Sequence, residues 1–172
     1  MENSRKQLTL FIHEPSGNIE KIRAEYNPIQ YHLIPAHVTL CREDEIEPTE
    51  KTIERITSIA LERPVRIKFK KVQRFADGKG AYILSLGNNT EFKELRKMVL
   101  GQGELKKEQL PHITLMHPRN STCTHEIFEQ IGNHDLPTEL EFGKISLIEQ
   151  KNGGKWEVLQ EFEIVKNNLA QQ

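Results

Sequence analysis

Apolar and polar residues alternate along the chain in two similar series. Each series begins with an apolar strand, predicted over residues 8–12 and 82–86. A polar turn and a helical stretch follow each of them, over residues 18–27 and 91–100. The pattern therefore predicts that the second half of the chain repeats the elements of the first.

One tetrapeptide occurs in both series, and its two copies are 75 residues apart. They are His37-Val38-Thr39-Leu40 and His112-Ile113-Thr114-Leu115. A random arrangement of this composition would give about 0.04 copies of His-x-Thr-Leu, so internal duplication explains the pair better than chance does. Alternation within each copy predicts a strand on which His and Thr share one face and the two apolar residues share the other.

The similarity continues beyond the tetrapeptides without a gap. Thr49 and Thr124 occupy matching positions, and each is a predicted N-cap of a short helix. Both helices run into a proline, Pro64 in the first half and Pro137 in the second, and each proline introduces an alternating strand. The sequence therefore predicts two halves of order β-α-β-α-β, related by a pseudo-two-fold axis.

Two imidazoles and two hydroxyls brought together would suit chemistry at a phosphodiester. The ordinary pKa of histidine is near 6.5, so at neutral pH one histidine can act as a base while the other acts as an acid. His37 and His112 are accordingly the predicted catalytic pair, while Thr39 and Thr114 would donate hydrogen bonds to the phosphate oxygens. These groups would need no metal ion or other cofactor, and we predict none.

The paired His-x-Thr-Leu motifs within a matching duplication resemble the two-histidine (2H) phosphoesterase superfamily, in particular its 2′,5′ RNA ligase-like and cyclic nucleotide phosphodiesterase branches. The resemblance implies an α+β fold, in which two pseudo-symmetric lobes of antiparallel sheet with flanking helices surround a central cleft. It gives His37 and His112 the catalytic role, with Thr39 and Thr114 as the phosphate-binding hydroxyls. It also implies a nucleotide or RNA-end substrate with a 2′,3′-cyclic phosphate, an ADP-ribose 1″,2″-cyclic phosphate or a 2′,5′ linkage.

Length and composition are consistent with one domain that covers residues 1–172, with lobes of roughly 1–77 and 78–166. A formal net charge of −1 argues against a nonspecific coat on nucleic acid, yet it allows a substrate held at one phosphate. No apolar run is long enough to span a membrane. Cys41 and Cys123 fit neither a metal-ligand spacing nor a disulfide framework. We therefore expect a cytoplasmic monomer that does not interact with membranes.

Several interpretations stay open at this stage. An enzyme of this type could join RNA ends instead of hydrolysing them, and a module with these groups could bind nucleotide phosphates without turnover. Tyr82, on a strand next to a motif, is a candidate for stacking a nucleobase. Arg42 and His117 each lie five residues after a motif histidine, and strand parity places them on the opposite face from it. We therefore exclude Arg42 from the catalytic set and disfavour a metal site built from His37, His112 and His117.

Overall fold

The computed structural model describes residues 1–166, which form eight β-strands and five α-helices. In chain order the elements are β1 (Ser4–Phe11), α1 (Asn18–Tyr26), α2 (Pro28–Leu33), β2 (His37–Cys41), a 3₁₀ turn (Glu43–Glu45), α3 (Thr49–Thr57), β3 (Val65–Arg74), β4 (Ala81–Ser85), α4 (Thr90–Leu100), β5 (His112–Met116), α5 (His125–Gly132), β6 (Glu139–Phe142), β7 (Lys144–Lys151) and β8 (Trp156–Glu163).

The strands form two four-stranded antiparallel sheets, and the fold is α+β as predicted. The first sheet has the order β2-β1-β7-β8 and the second has the order β5-β4-β3-β6. The two motif strands, β2 and β5, are therefore edge strands, one in each sheet. Their Cα atoms come within 8 Å of each other, so the two sheets adjoin along the strands that carry the motifs.

The sheets do not follow the two halves of the sequence. The last strand of the first half, β3, pairs with β4 and β6 in the second sheet. In return, β7 from the second half pairs with β1 in the first sheet, where Ser4 lies opposite Lys151. The lobes 1–77 and 78–166 thus describe the sequence repeat, while each sheet takes strands from both halves. A single domain that arose by duplication stays a prediction.

Buried side chains from both sheets and from the helices form one continuous core. The helix α1 contributes Ile19 and Ile22, and α4 contributes Phe92, Leu95 and Val99, all at helical spacing. Both helices pack against strands of the second sheet, α1 against β5 and α4 against β3. This packing stabilises the fold, because burying apolar surface is the main favourable contribution to folding.

The two predicted helix caps have different outcomes. Thr124 is the N-cap of α5, and its hydroxyl accepts a hydrogen bond from the Ile127 amide. Thr49 is the first residue within α3, where Pro48 is the N-cap and no side chain caps the helix, so that prediction was wrong. A proline one residue before the helix already provides the extended backbone that an N-cap residue requires. Within residues 1–166, no helix combines the length and the apolar composition that crossing a bilayer requires.

Candidate active site

The two motif strands present matching side chains to the space where the sheets adjoin. The apolar residues Val38, Leu40, Ile113 and Leu115 are fully buried behind them. Because side chains alternate along a strand, the intervening histidines and threonines point to the other face. His37, Thr39, His112 and Thr114 all line one cavity of about 450 Å³. The alternation read from the sequence therefore brings all four residues together.

Each motif histidine is oriented by a hydrogen bond to the carbonyl oxygen of the residue two positions before it. Nδ1 of His37 lies 2.9 Å from the carbonyl oxygen of Pro35, and Nδ1 of His112 lies 3.0 Å from that of Leu110. A carbonyl oxygen only accepts, so Nδ1 carries the hydrogen and donates it in both rings. The second nitrogen, Nε2, then carries the lone pair of the neutral imidazole and is the atom that can exchange a proton with a ligand.

The surroundings of His37 favour its neutral form. Burial lowers the pKa of His37 to about 4, and repulsion from Arg23, His112 and His117 acts in the same direction. The hydrogen bond to Pro35 opposes the shift but is outweighed. At pH 7 this imidazole is therefore uncharged and able to accept a proton.

Two further polar residues line the cavity, although alternation along the strands predicted that they would lie on the opposite face from the motif histidines. Arg42 directly follows β2 and His117 directly follows β5, and both line the cavity. The parity argument was wrong for them because each motif strand has an irregularity in its register, where Leu40 and Cys41 are both buried, as are Leu115 and Met116. The extra residue shifts the alternation by one position, so the next side chain returns to the face of the motif histidine. The repeat itself held the signal, because a polar residue stands at the same place after both motifs.

Four more cations line the cavity from elements far apart in the sequence: Arg5 and Lys6 from β1, Arg23 from α1 and Arg119 from the loop after β5. Two carboxylates, Glu43 and Asp44, line it as well. The site is thus predominantly basic, whereas the whole chain has a formal net charge of −1. No pattern in the sequence predicted this concentration of charge.

Arg23 has a counterpart in the second half of the chain. Arg23 on α1 is 2% exposed, donates to the Ile34 carbonyl oxygen and forms a salt bridge of 2.7 Å with Glu20. Arg96 on α4 is 1% exposed, donates to the Leu40 carbonyl oxygen and forms a salt bridge of 2.6 Å with Glu45. In both residues Nε is buried without a partner in the described part of the chain. Of the two guanidinium groups, that of Arg23 lines the cavity.

Tyr82 lies opposite Thr114 in the register of β4 and β5 but does not line the cavity. Its ring packs at 4.5 Å from the ring of Phe75, and its hydroxyl donates to Gln73, which fixes the side chain away from the site. Other aromatic residues are closer to the histidines. Trp156 lines the cavity, and the Phe11 ring lies edge-on to the His37 imidazole at 6.5 Å.

Phe11 and Trp156 also line an adjoining, more apolar cavity of about 620 Å³, together with Pro35 and Val158. Trp156 therefore borders both the polar and the apolar cavity. Within residues 1–166, no group of three or more His, Cys, Asp or Glu side chains has the arrangement that a metal ion needs.

Comparison with known protein families gives one match that covers most of the chain. The model of the 2′-5′ RNA ligase superfamily matches residues 12–154, a range that contains both motifs. No curated protein matches the chain at a significant level.

Solved structures share the fold at low sequence identity. Escherichia coli LigT complexed with NADP⁺ is 14% identical, with a TM-score of 0.60 over 96% of this chain and 100% of LigT. A structure described as a phosphoesterase is 14% identical, with a TM-score of 0.61 over 95% of this chain and 99% of the other. The protein TT0787 of Thermus thermophilus is 17% identical, with a TM-score of 0.55 over 93% of this chain and 97% of the other. At these identities, the similarity supports the fold alone.

Proposed function

The chain belongs to the 2′-5′ RNA ligase superfamily, and from this premise we propose that it is a metal-independent phosphodiesterase. Its substrate is a nucleotide or an RNA end, in which it opens a 2′,3′-cyclic phosphate or cleaves a 2′,5′-phosphodiester. The observation that carries the proposal is the pair of imidazoles in one cavity, each with Nδ1 bound to the carbonyl two residues before it. This arrangement leaves two Nε2 atoms for the two proton transfers of the reaction.

His37 is the general base in this proposal, because the low pKa keeps it neutral at pH 7. Its Nε2 removes a proton from water while the water oxygen attacks phosphorus. The bond from phosphorus to the leaving ribose oxygen breaks, and that oxygen takes a proton from Nε2 of His112, whose ring enters this step protonated on both nitrogens. Thr39 and Thr114 donate hydrogen bonds to the non-bridging oxygens, where negative charge accumulates in the transition state. The product is a phosphomonoester, and proton exchange with solvent restores both histidines.

The apolar cavity beside His37 is suited to the nucleoside of the substrate. Phe11 and Trp156 offer aromatic surface there, and stacking on such surface accepts any base. E. coli LigT has been crystallised with NADP⁺ and also with 3′-AMP, which indicates the type of ligand that a protein of this fold accommodates. We assign the stacking role that the sequence suggested for Tyr82 to these two residues.

We also propose that the protein acts as a cytoplasmic monomer. Both cysteines, Cys41 and Cys123, are buried free thiols, which is the usual state in a reducing compartment. Size-exclusion chromatography with light scattering tests the oligomeric state, and a mass corresponding to two chains would contradict it.

Turnover of a substrate panel tests the function. The panel contains 2′,3′-cyclic nucleotides, ADP-ribose 1″,2″-cyclic phosphate and 2′,5′-linked dinucleotides, with the position of the product phosphate read by NMR. We expect hydrolysis of at least one member, and a loss of about 10²–10⁴-fold in kcat for His37→Ala and for His112→Ala. His125→Ala is the matched control, since this exposed histidine lies outside the cavity. Binding without turnover would favour the binding module, and joining of RNA ends without hydrolysis would favour the ligase.

A further inference from the structure

The cavity contains more positive charge than one reacting phosphate needs. A cyclic phosphate or a phosphodiester carries a single negative charge, and the two histidines and two threonines already provide hydrogen-bonding groups for it. Arg5, Lys6, Arg23, Arg42 and Arg119 nevertheless line the same space. Like charges that line one cavity repel one another, so their grouping points to a ligand with more than one anionic group.

Three of these five cations lie beside carboxylates. Arg23 forms its salt bridge with Glu20. Lys6 and Arg42 line the cavity together with Glu43 and Asp44. The Lys6 amide donates to Glu43, and the pKa of Asp44 is lowered chiefly by the hydrogen bond from Lys107 and in smaller part by the charge of Arg42. Their charge is therefore partly compensated by the protein itself.

Arg5 and Arg119 have no such compensation. Neither forms a salt bridge with any carboxylate among residues 1–166. Both also border a second cavity of about 360 Å³ that Gln30 and Asn120 help to line. The two arginines thus line both cavities, one contributed by the first sheet and the other by the loop that follows the second motif.

The arginine side chain on β1 is held in place. Nε of Arg5 donates to Gln150 at 2.7 Å, and the guanidinium carbon lies 5.0 Å from the centre of the Trp156 ring. These contacts use Nε and one flat face, and the two terminal NH₂ groups bind no other residue within 1–166. They remain available to an oxygen ligand.

The loop after β5 is also held by hydrogen bonds. The Asn27 side chain accepts from the His117 amide and donates to Asn120, and the Ser121 hydroxyl donates to the His117 carbonyl oxygen. The Arg119 amide donates to Nδ1 of His117, so the hydrogen of that neutral ring is on Nε2, which becomes a donor. These hydrogen bonds fix the loop backbone and the His117 ring, so that a neutral donor, His117, lies beside the charged donor Arg119 in the same cavity.

We propose that Arg5, Arg119 and His117 form a second phosphate subsite, which selects substrates that carry another phosphate besides the one between His37 and His112. The inference rests on the proposed function, because it assigns the reacting phosphate to the histidine pair. The second phosphate can be a 5′-phosphate, a diphosphate such as that of ADP-ribose, or the next phosphodiester of an RNA chain. All three present the same oxygen ligands to the two arginines.

A set of matched substrates tests this subsite. Adenosine 2′,3′-cyclic phosphate is compared with its 5′-phosphorylated form, with ADP-ribose 1″,2″-cyclic phosphate and with the dinucleotide ApA ending in a 2′,3′-cyclic phosphate. We expect kcat/KM to be about tenfold or more higher for at least one of the three substrates with a second phosphate, the size expected for charge-assisted hydrogen bonds. The best of the three identifies the source of that phosphate. Equal kcat/KM for all four would overturn the subsite.

Charge-removing variants then locate the effect. Arg5→Gln and Arg119→Gln should each reduce the preference for the second phosphate by about tenfold. Arg63→Gln removes the same charge from an exposed arginine outside the cavity, and should leave the preference intact. If kcat/KM fell equally for all four substrates in the Arg5 and Arg119 variants, these arginines would only attract anions in general, and a distinct subsite would be refuted.

Binding without turnover separates the subsite from the proposed function. Isothermal titration compares adenosine 3′,5′-bisphosphate with 3′-AMP, and we expect the bisphosphate to bind about tenfold more tightly to the native protein and equally in Arg119→Gln. If this preference holds while no substrate is turned over, the phosphodiesterase proposal fails and the subsite stands. If turnover occurs but the two ligands bind alike, the subsite fails alone.

Discussion

The pH dependence of turnover should reveal His37 as a base with an unusually low pKa. With a pKa of about 4, roughly 90% of His37 is neutral at pH 5, whereas a histidine with the ordinary pKa of 6.5 would be only about 3% neutral. We therefore expect kcat/KM not to fall as the pH is lowered from 7 to 5. The acid limb should then fall near pH 4.

The assay is kcat/KM from pH 3.5 to pH 9 for the best substrate of the panel, together with an NMR titration of the His37 ring. The His37→Ala variant should lose the acid limb that comes from this group, in addition to the drop in kcat. The double variant with His112→Ala should be little worse than the worse single one, because acid and base act in one concerted step. An acid limb near pH 6.5 that disappears in His37→Ala would refute the low pKa.

The pH dependence of folding stability gives a second measure of the lowered pKa of His37. The unfolded chain binds a proton at His37 below pH 6.5, whereas the folded protein does so only below about pH 4. The contribution of His37 to the free energy of unfolding is therefore fully present above pH 6.5 and is lost as the pH falls to 4. It amounts to at most about 3 kcal/mol. Urea unfolding at pH 7 and pH 4.5 should show this loss in the native protein and not in His37→Ala, and parallel losses in both proteins would contradict the reasoning.

The site and the buried arginines support further predictions. Turnover should survive EDTA, since protein groups provide both proton transfers, and restoration by a divalent ion after a chelator-induced loss would contradict the mechanism. Thr39→Val and Thr114→Val keep the branched shape and remove one hydroxyl, so each should reduce kcat by about 10–10³-fold with unchanged circular dichroism. Arg96→Met should destabilise the fold by about 3–5 kcal/mol in urea unfolding, because it leaves Glu45, whose side chain is 8% exposed, without its partner. Arg23→Met should cost less, about 1–3 kcal/mol, because Glu20 is 40% exposed and can be hydrated, and a larger loss than for Arg96→Met would contradict this comparison.

The repeated motif allowed the sequence to predict the strands β2 and β5 and the faces that their residues share. The alternation of two apolar and two polar residues determines which side chains are buried, and no distant contact changes that outcome. Alternation of apolar and polar residues did not predict β7. All residues from Ile145 to Ile148 are buried, and a strand that is buried on both faces does not alternate. Alternation also could not predict that β3 joins the second sheet and β7 the first, because this depends on pairing between segments that are distant in the sequence.

The residues around the motifs were predicted less well for related reasons. Arg5, Arg23 and Arg119 reach the cavity only because separate elements fold onto each other, and each one alone is an ordinary cation in the sequence. Trp156 lies on the edge strand β8, beside Arg5, and its place next to the motifs also depends on the pairing of distant strands. Tyr82 lies on the strand that the sequence predicted. The sequence alone does not reveal that contacts with Phe75 and Gln73 hold its side chain away from the cavity.

The exchange of strands between the two sheets has a consequence for how the protein is made. Because β1 pairs with β7, Ser4 finds its partner Lys151 only after the ribosome has added about 150 further residues. Until then β1 has only β2 beside it, and β3 waits for β4 and β6, so the nascent first half exposes strand edges that would pair with other chains. Contacts between such distant segments also slow folding, since a long loop must close before they form. The site thus becomes complete only late in synthesis, and a nascent chain that has emerged only as far as the first motif has no working half-site.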